Sequence, residues 1–366
     1  MKLYFAGGYG EHGRNCFYVR SESACFLVDC GILPGVADCM PNLNHAQIAA
    51  AEFVLLTHSH VDHVGALPWL YGNGFDGTVF LSESTLRQMP TPPRRYQFID
   101  SLTPPLSPCE LLPGVTIEWG RSGHCIGSVW YILSLDGRRL IFSGDYTEHS
   151  LLYECDPLIN QTADAAVLDC AYAGQSGAKN DESLRQAFNA YVSDALHAGK
   201  KLILPVPLHG RGHEIAFALH TLLPDIPLFA DCALRGQLSQ VEQHAFWLRP
   251  EACRVLQHLH LHARHHFARQ PGPAVLLLGD PQLKALDRDP AQNADLLAPD
   301  VRILLTGHCD PASASERLLQ SGLADSHCYP VHQGLPEFQH LCNSNHFART
   351  FAVHSDRFTH EDMVVL

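Results

Sequence analysis

The sequence predicts an α/β protein of two domains. Three observations carry that expectation. Short apolar runs recur along the first half, and Asp29, His58, His124 and Asp145 each follow one of them. From about residue 180, strand-like runs alternate with helical patterns, as in a mostly parallel sheet. The chain has 366 residues, enough for a large core divided over two domains.

In chain order, residues 3–6, 16–19 and Cys25–Val28 read as strands. The first two are joined by the glycine-rich stretch Gly7–Asn15, which suits a tight turn. No helical pattern clearly follows it, so a phosphate-cradling loop is the weaker reading. Asp29 closes the third strand. Residues 45–51 form a short alanine-rich helix. Phe53–Leu56 is a buried strand, Val64–Leu67 opens a helix, and Gly72-Asn73-Gly74 ends it. Val79–Ser82 is a further strand. Residues 89–113 are proline-rich, with Arg87, Arg94 and Arg95 nearby. These arginines read as a basic lip for a polyanion or, equally well, as ordinary charges on a solvated loop. Val115–Trp119 is a strand leading to Gly123-His124-Cys125-Ile126-Gly127. Val129–Leu135 and Arg139–Phe142 form a hairpin around Asp136-Gly137, a strong turn dipeptide. Ala165–Leu168 leads to Asp169.

Asn180–Ala198 is amphipathic, with Leu184, Phe188, Tyr191 and Leu196 near one face. The strand Lys201–Val206, a helix through Leu223 and the strand Leu228–Ala230 continue the alternation. Residues 251–269 carry His258, His260, His262, His265 and His266, read as a helix with a polar histidine face rather than a metal store. Ala274–Leu278, Val301–Thr306, Tyr329–His332 and Thr350–His354 complete the strands.

Within this frame the most informative stretch is His58-Ser59-His60-Val61-Asp62-His63. A regular helix would point His58 and His60 to different faces, because only i+3 and i+4 neighbours share one. A regular strand would put His63 opposite the other three. The four side chains therefore belong on a turn that fans them around a pocket. The plain alternative is a polar turn with surface histidines, in a chain that has 24 of them. Four ligand-type residues directly after an apolar strand favour metal. Imidazole and carboxylate suit zinc, with iron and manganese as alternatives.

Composition narrows the function classes. The chain is 46% hydrophobic and 17% charged, and no apolar run approaches the roughly 20 residues that span a bilayer. The N-terminal stretch is too short and glycine-broken for a signal-peptide core. Thirteen scattered cysteines without a Cys-x-x-Cys pair indicate neither a disulfide framework nor a zinc ribbon, and suggest a reduced, cytoplasmic protein. The net charge of −13 disfavours nonspecific nucleic-acid binding by the whole surface, but leaves room for a local basic groove.

The heptapeptide Thr57–His63 matches the His-x-His-x-Asp-His signature of the metallo-β-lactamase superfamily. The chain more specifically resembles that superfamily's β-CASP nuclease branch. The Gly7–Asn15 turn, Asp29, the His58–His63 run, His124 and Asp145 stand where the branch has its first turn and superfamily motifs. Asp169, His332 and His354 match its later acid and histidine motifs, and Gly210-Arg211-Gly212-His213-Glu214 resembles its Gly-Arg-x-x-Glu segment. Two motifs depart from the pattern: Asp169-Cys170-Ala171-Tyr172-Ala173 lacks the usual hydroxyl residues, and His332-Gln333-Gly334 lacks the usual acid.

The resemblance implies a four-layer αββα sandwich over residues 1–174 and 311–366, with an α/β β-CASP-like insert over 175–310. It implies two metal ions, zinc first: His58, His60 and His124 at one, Asp62, His63 and His354 at the other, and Asp145 bridging. A hydroxide between the metals would attack a phosphodiester of single-stranded nucleic acid, RNA before DNA, in the cleft between the domains. Asp62 and Asp29 would support the metal chemistry, the latter by orienting a ligand histidine. His332 would be the general acid or a phosphate contact, with Asp169 orienting it, and Arg211 would contact phosphate or pair with an acid. A small-molecule metallo-hydrolase acting on an ester, lactone or small phosphodiester and a non-catalytic nucleic-acid-binding subunit are the alternatives, and a homodimer or protein partner stays open.

Overall fold

The structure is a computed structural model that describes residues 1–174, 179–358 and 362–366. The side chains of residues 239, 240 and 242 are outside that description. The chain divides into two compact units. The first comprises Met1–Glu148, Glu154–Asn180 and His332–Leu366; the second comprises His149–Tyr153 and Asp181–Val331.

Two large sheets build the first unit, beside a two-stranded pairing of Thr162–Ala163 with His346–Phe347. One has seven strands in the order Met363–Val365, Lys2–Gly7, Cys16–Arg20, Cys25–Val28, Phe53–Leu55, Thr78–Leu81, Tyr96–Phe98. The other has six: Thr350–Val353, Ala165–Asp169, Arg138–Phe142, Val129–Leu135, Val115–Arg121, Cys109–Leu112. Their inner faces meet through aromatic rings, with Phe17 and Phe142 at 6.0 Å and Phe5 and Phe351 at 5.1 Å. The Tyr131 hydroxyl donates to the Leu56 carbonyl across the same interface, at 2.8 Å. On the outer face of the first sheet, Leu27, Val54 and Val79 pack against Ile48, Leu67 and Leu70 of two short helices. On the outer face of the second, Ile132, Ile141 and Leu168 pack with Leu341 and Phe338 of helix Leu335–Asn343. This is the αββα layering. It explains why the strands read as continuous apolar runs: both faces are covered.

In the second unit, six strands pair in parallel throughout, in the order Leu261–Ala263, Leu228–Ala230, Ala274–Leu278, Lys201–Pro205, Val301–Leu305, Ala324–Ser326. Helix Asp181–His197 buries Leu184, Phe188, Val192 and Leu196, a run at i+4 spacing. Tyr191, expected on that face, instead donates from its hydroxyl to Asp325.

Several expectations need correction. The insert's sheet continues past residue 310, because Ala324–Ser326 adds a parallel strand to Val301–Leu305; its expected start at 175 lies outside the described residues. Residues 251–269 are not one helix: helix Pro250–Leu256 is followed by strand Leu261–Ala263, which holds His262, and by a 3₁₀ turn that holds His265 and His266. Tyr329–His332 is irregular rather than a strand. The helix after the metal motif is two pieces, Val61–Val64 and Leu67–Gly72, with Pro68 in the first turn of the second. Residues 89–113 contain strand and helix, and their arginines are engaged: Arg87 pairs with Glu83, Arg95 with Asp76, and Arg94 lies over the Tyr71 ring.

Candidate metal centre

Parallel pairing sets the site. Cys25–Val28 runs parallel to Phe53–Leu55, and Arg138–Phe142, Ala165–Asp169 and Thr350–Val353 are mutually parallel in the facing sheet. Their C-terminal ends deliver Asp29, the His58–His60 turn, Asp145, Asp169 and His354. His124 comes from the loop between Val115–Arg121 and Val129–Leu135. Asp62 and His63 ride on helix Val61–Val64 rather than on the turn itself. That helix sits so close to Gly31 that a Cβ there would lie 1.7 Å from the Asp62 carbonyl oxygen. Asp29 and His354 both hold left-handed backbone, φ 58° and 63°, which is uncommon outside glycine and turns each side chain abruptly out of its strand.

The converging atoms fall into groups around Asp145. Its Oδ2 lies 3.2 Å from His58 Nε2 and 3.4 Å from His124 Nε2. His124 Nε2 is in turn 3.2 Å from His60 Nδ1. Asp145 Oδ1 lies 3.1 Å from His63 Nε2 and 3.0 Å from His354 Nδ1. Asp62 Oδ2 is 3.0 Å from His354 Nε2 and 3.7 Å from His63 Nε2. Thus His58, His60, His124 and Asp145 form one cluster of metal-ligand atoms within 4.8 Å, and Asp62, His63 and His354 form another.

Around them sits a ring of supporting contacts. Asp29 Oδ2 is 2.7 Å from His63 Nδ1, while Thr57 donates from its N–H and its hydroxyl to the two Asp29 oxygens, each at 2.8 Å. Asp169 accepts from the N–H groups of Tyr146 and Ala171 and lies 3.2 Å from His332 Nδ1. The Tyr172 ring packs on His332 at 4.9 Å. Sequence reasoning passed over Asn15, whose Nδ2 is 3.0 Å from His63 Nε2, and His12, whose ring stacks on His354 at 4.5 Å. It also passed over Thr57. All three lie inside or beside motifs already singled out, which is the signal that could have found them. Arg211 belongs to the second unit, where it is buried and so close to Gly307 that a Cβ there would lie 1.9 Å from the guanidinium.

Burial and charge compete at His58, Asp62, His63, His124, Asp145 and His354. Burial lowers His58 and takes His124 well below the usual imidazole value. Burial also opposes protonation of His63 and His354, but Asp145 and its neighbouring carboxylates overcome it; His63 is held well above 6.5, and His354 is raised to about 10. Burial would likewise raise Asp62 and Asp145, yet the facing His63 and His354 hold both well below the carboxylate range.

The side chains fit a pair of divalent cations. Five imidazoles and two carboxylates share one pocket, and Asp145 is 2% exposed. The Nε2 atoms of His58 and His354 are buried without a hydrogen bond, although a carboxylate oxygen lies close to each. Ligand-type atoms gathered this densely suit a cation.

Residues 9–205 match the model of the metallo-beta-lactamase superfamily, more than half of the chain. The chain belongs to that superfamily. It is 27% identical over 296 residues to Ribonuclease TTHA0252 of Thermus thermophilus, covering 70% of this chain and 67% of that protein. It is also 27% identical over 291 residues to the transcription termination factor FttA of Cenarchaeum symbiosum, covering 69% of this chain and 44% of that one. The chain therefore spans two thirds of the first relative and less than half of the second. Both are β-CASP proteins, so the branch resemblance carried by the motifs holds. A crystal structure of a protein of unknown function from Enterococcus faecalis aligns over 100% of this chain and 99% of its own, with TM-score 0.60 and 10% identity, which shows a shared fold. Among the described residues, no helix is long and apolar enough to cross a membrane.

Proposed function

We propose that the protein is a metal-dependent phosphodiesterase acting on single-stranded nucleic acid, RNA in preference to DNA. The observation that carries this reading is Asp145, whose two oxygens face two different sets of histidines. His58, His60 and His124 would hold one zinc, Asp62, His63 and His354 the other, and Asp145 would bridge. Such a metal pair supplies an activated water and neutralises phosphate charge.

The chain's own residues do the remaining work. Asp29 fixes the ring plane of His63 and keeps its Nε2 directed into the pocket. His332, held by Asp169 beside Asp145, donates a proton to the departing oxygen. Ribonuclease and termination-factor names among the relatives support RNA as the substrate. The absence of any disulfide among thirteen cysteines supports a reducing, cytoplasmic setting.

The test is cleavage of end-labelled single-stranded RNA and DNA, beside a small phosphodiester, with metal content quantified. RNA cleavage that disappears in His60→Ala is the expected result. His332→Gln should retain metal and lose about 10²–10⁴-fold in rate. Turnover of the small diester alone would replace the nuclease with a small-substrate hydrolase, and a metal-loaded protein that cleaves nothing would refute the proposal.

A further inference from the structure

We infer that Gln88 is a positioning residue that sets the spacing between the two loops supplying His58, His60 and His124; this rests on the metal reading above. His60 and His124 lie 64 residues apart in the chain, on segments that meet where the Val129 N–H donates to the Thr57 carbonyl at 2.9 Å. Gln88 adds a side-chain tie closer to the ligands themselves. Ser59, between His58 and His60, donates its hydroxyl to Gln88 Oε1 at 2.6 Å. The same amide donates from Nε2 to the carbonyl of Ile126, two residues beyond His124, at 2.9 Å. One planar side chain thus touches both ligand loops, accepting from one and donating to the other.

The other end of the same helix, Glu83–Gln88, grips the second loop independently. The hydroxyls of Ser82 and Thr85 both donate to the Gly127 carbonyl, at 2.8 and 2.9 Å, and both residues are fully buried. Gly127 has φ +85°, and a Cβ there would come within 2.9 Å of Thr85 and Ser82 atoms. The helix is therefore a splint: Ser82 and Thr85 anchor the His124 loop, and Gln88 ties that anchored loop to Ser59. Because Ser59 is buried and sits between two ligands, a shift there moves both imidazoles. None of these contacts involves the His63–His354–Asp62 cluster, so the effect should fall on one metal position only.

The test is Zn²⁺ titration against a chromophoric chelator, with His124→Ala and His354→Ala marking the two positions. Gln88→Leu keeps the helix-compatible bulk and removes both bonds. It should weaken the position marked by His124→Ala by about 10–100-fold, as loss of a supporting hydrogen bond does at metal sites, and leave the other unchanged. Ser59→Ala, which cuts one bond, should move the same position by less. Unchanged affinity at both positions in Gln88→Leu overturns the inference. So does an equal loss at both with a lowered melting temperature, which would make Gln88 a general packing residue. A parent protein that takes up no zinc refutes the metal reading in the first titration, before any variant is compared.

Discussion

Asp29 meets three groups with two oxygens: the Thr57 N–H, the Thr57 hydroxyl and His63 Nδ1. A carboxylate can accept all three, because it has no proton of its own. Asparagine has the same shape but would point an amide N–H₂ at the His63 and Thr57 side, where a donor already stands. Asp29→Asn should therefore leave the strand intact and lower metal affinity by about 10–100-fold, read by chelator competition. The expected supporting role for Asp29 was what the family resemblance implied. What the contacts add is the identity of its client, His63, and the participation of Thr57.

At the level of elements, the short helix Val61–Val64 carries Asp62 and His63 and rests on Gly31. In Gly31→Ala the new methyl would meet the Asp62 carbonyl at far less than contact distance, so helix and strand must separate. The expected cost is at least about 3 kcal/mol of stability in denaturant unfolding, with loss of the metal position that includes Asp62. In the second unit, helix Arg211–Leu222 begins with His213 and Glu214 inside the fold. Glu214 accepts from Ser150 Oγ and from the N–H groups of Leu151 and Leu152, which binds the His149–Tyr153 segment to that helix. Burial lowers His213 to about 3. Its folded form thus refuses a proton that the unfolded chain accepts below about 6.5. Stability from this group is present above that pH and falls as the pH drops toward 3, by up to about 1.4 kcal/mol per unit. Burial raises Glu214, which gives the opposite slope above its ordinary value. The difference between parent and His213→Gln unfolding curves over pH 4–7 isolates the histidine: the parent should lose more stability on acidification.

For the molecule as a whole, the metal centre is a store of protons when no metal is bound. The carboxylates raise His63 and His354 above the ordinary imidazole value, and the facing histidines hold Asp62 and Asp145 below the carboxylate range. A cation binds the neutral imidazole, so it competes with protons at both histidines. Calorimetric Zn²⁺ titration at pH 7 in buffers of different ionisation enthalpy should report a net release of protons, and affinity should fall as the pH is lowered. Chelation should also lower the melting temperature, since metal present at about 1,000 times its Kd contributes roughly 4 kcal/mol to the folded state. No proton release on binding would contradict the charge state described here.

Much of this architecture was legible in the chain. The apolar runs Cys25–Val28, Phe53–Leu55 and Ala165–Asp169 announce doubly covered strands, because a strand buried on both faces has no polar side to alternate. The ligand types announce themselves at the ends of such runs, because side chains are the chemistry and sequence lists side chains. Other features were not legible. Tyr329–His332 resembles a strand by composition, yet is irregular, since strand formation depends on a partner ladder rather than on local preference. The run 258–266 could not be separated from the preceding helix until parallel pairing of Leu261–Ala263 with Leu228–Ala230 placed His262 in a strand. Which residues could ligate a metal was thus set by the sequence itself. Which oxygen of Asp145 faces which histidines, and that Gln88 holds two of the loops together, was decided only by tertiary structure, because those contacts join segments whose separation along the chain carries no distance information.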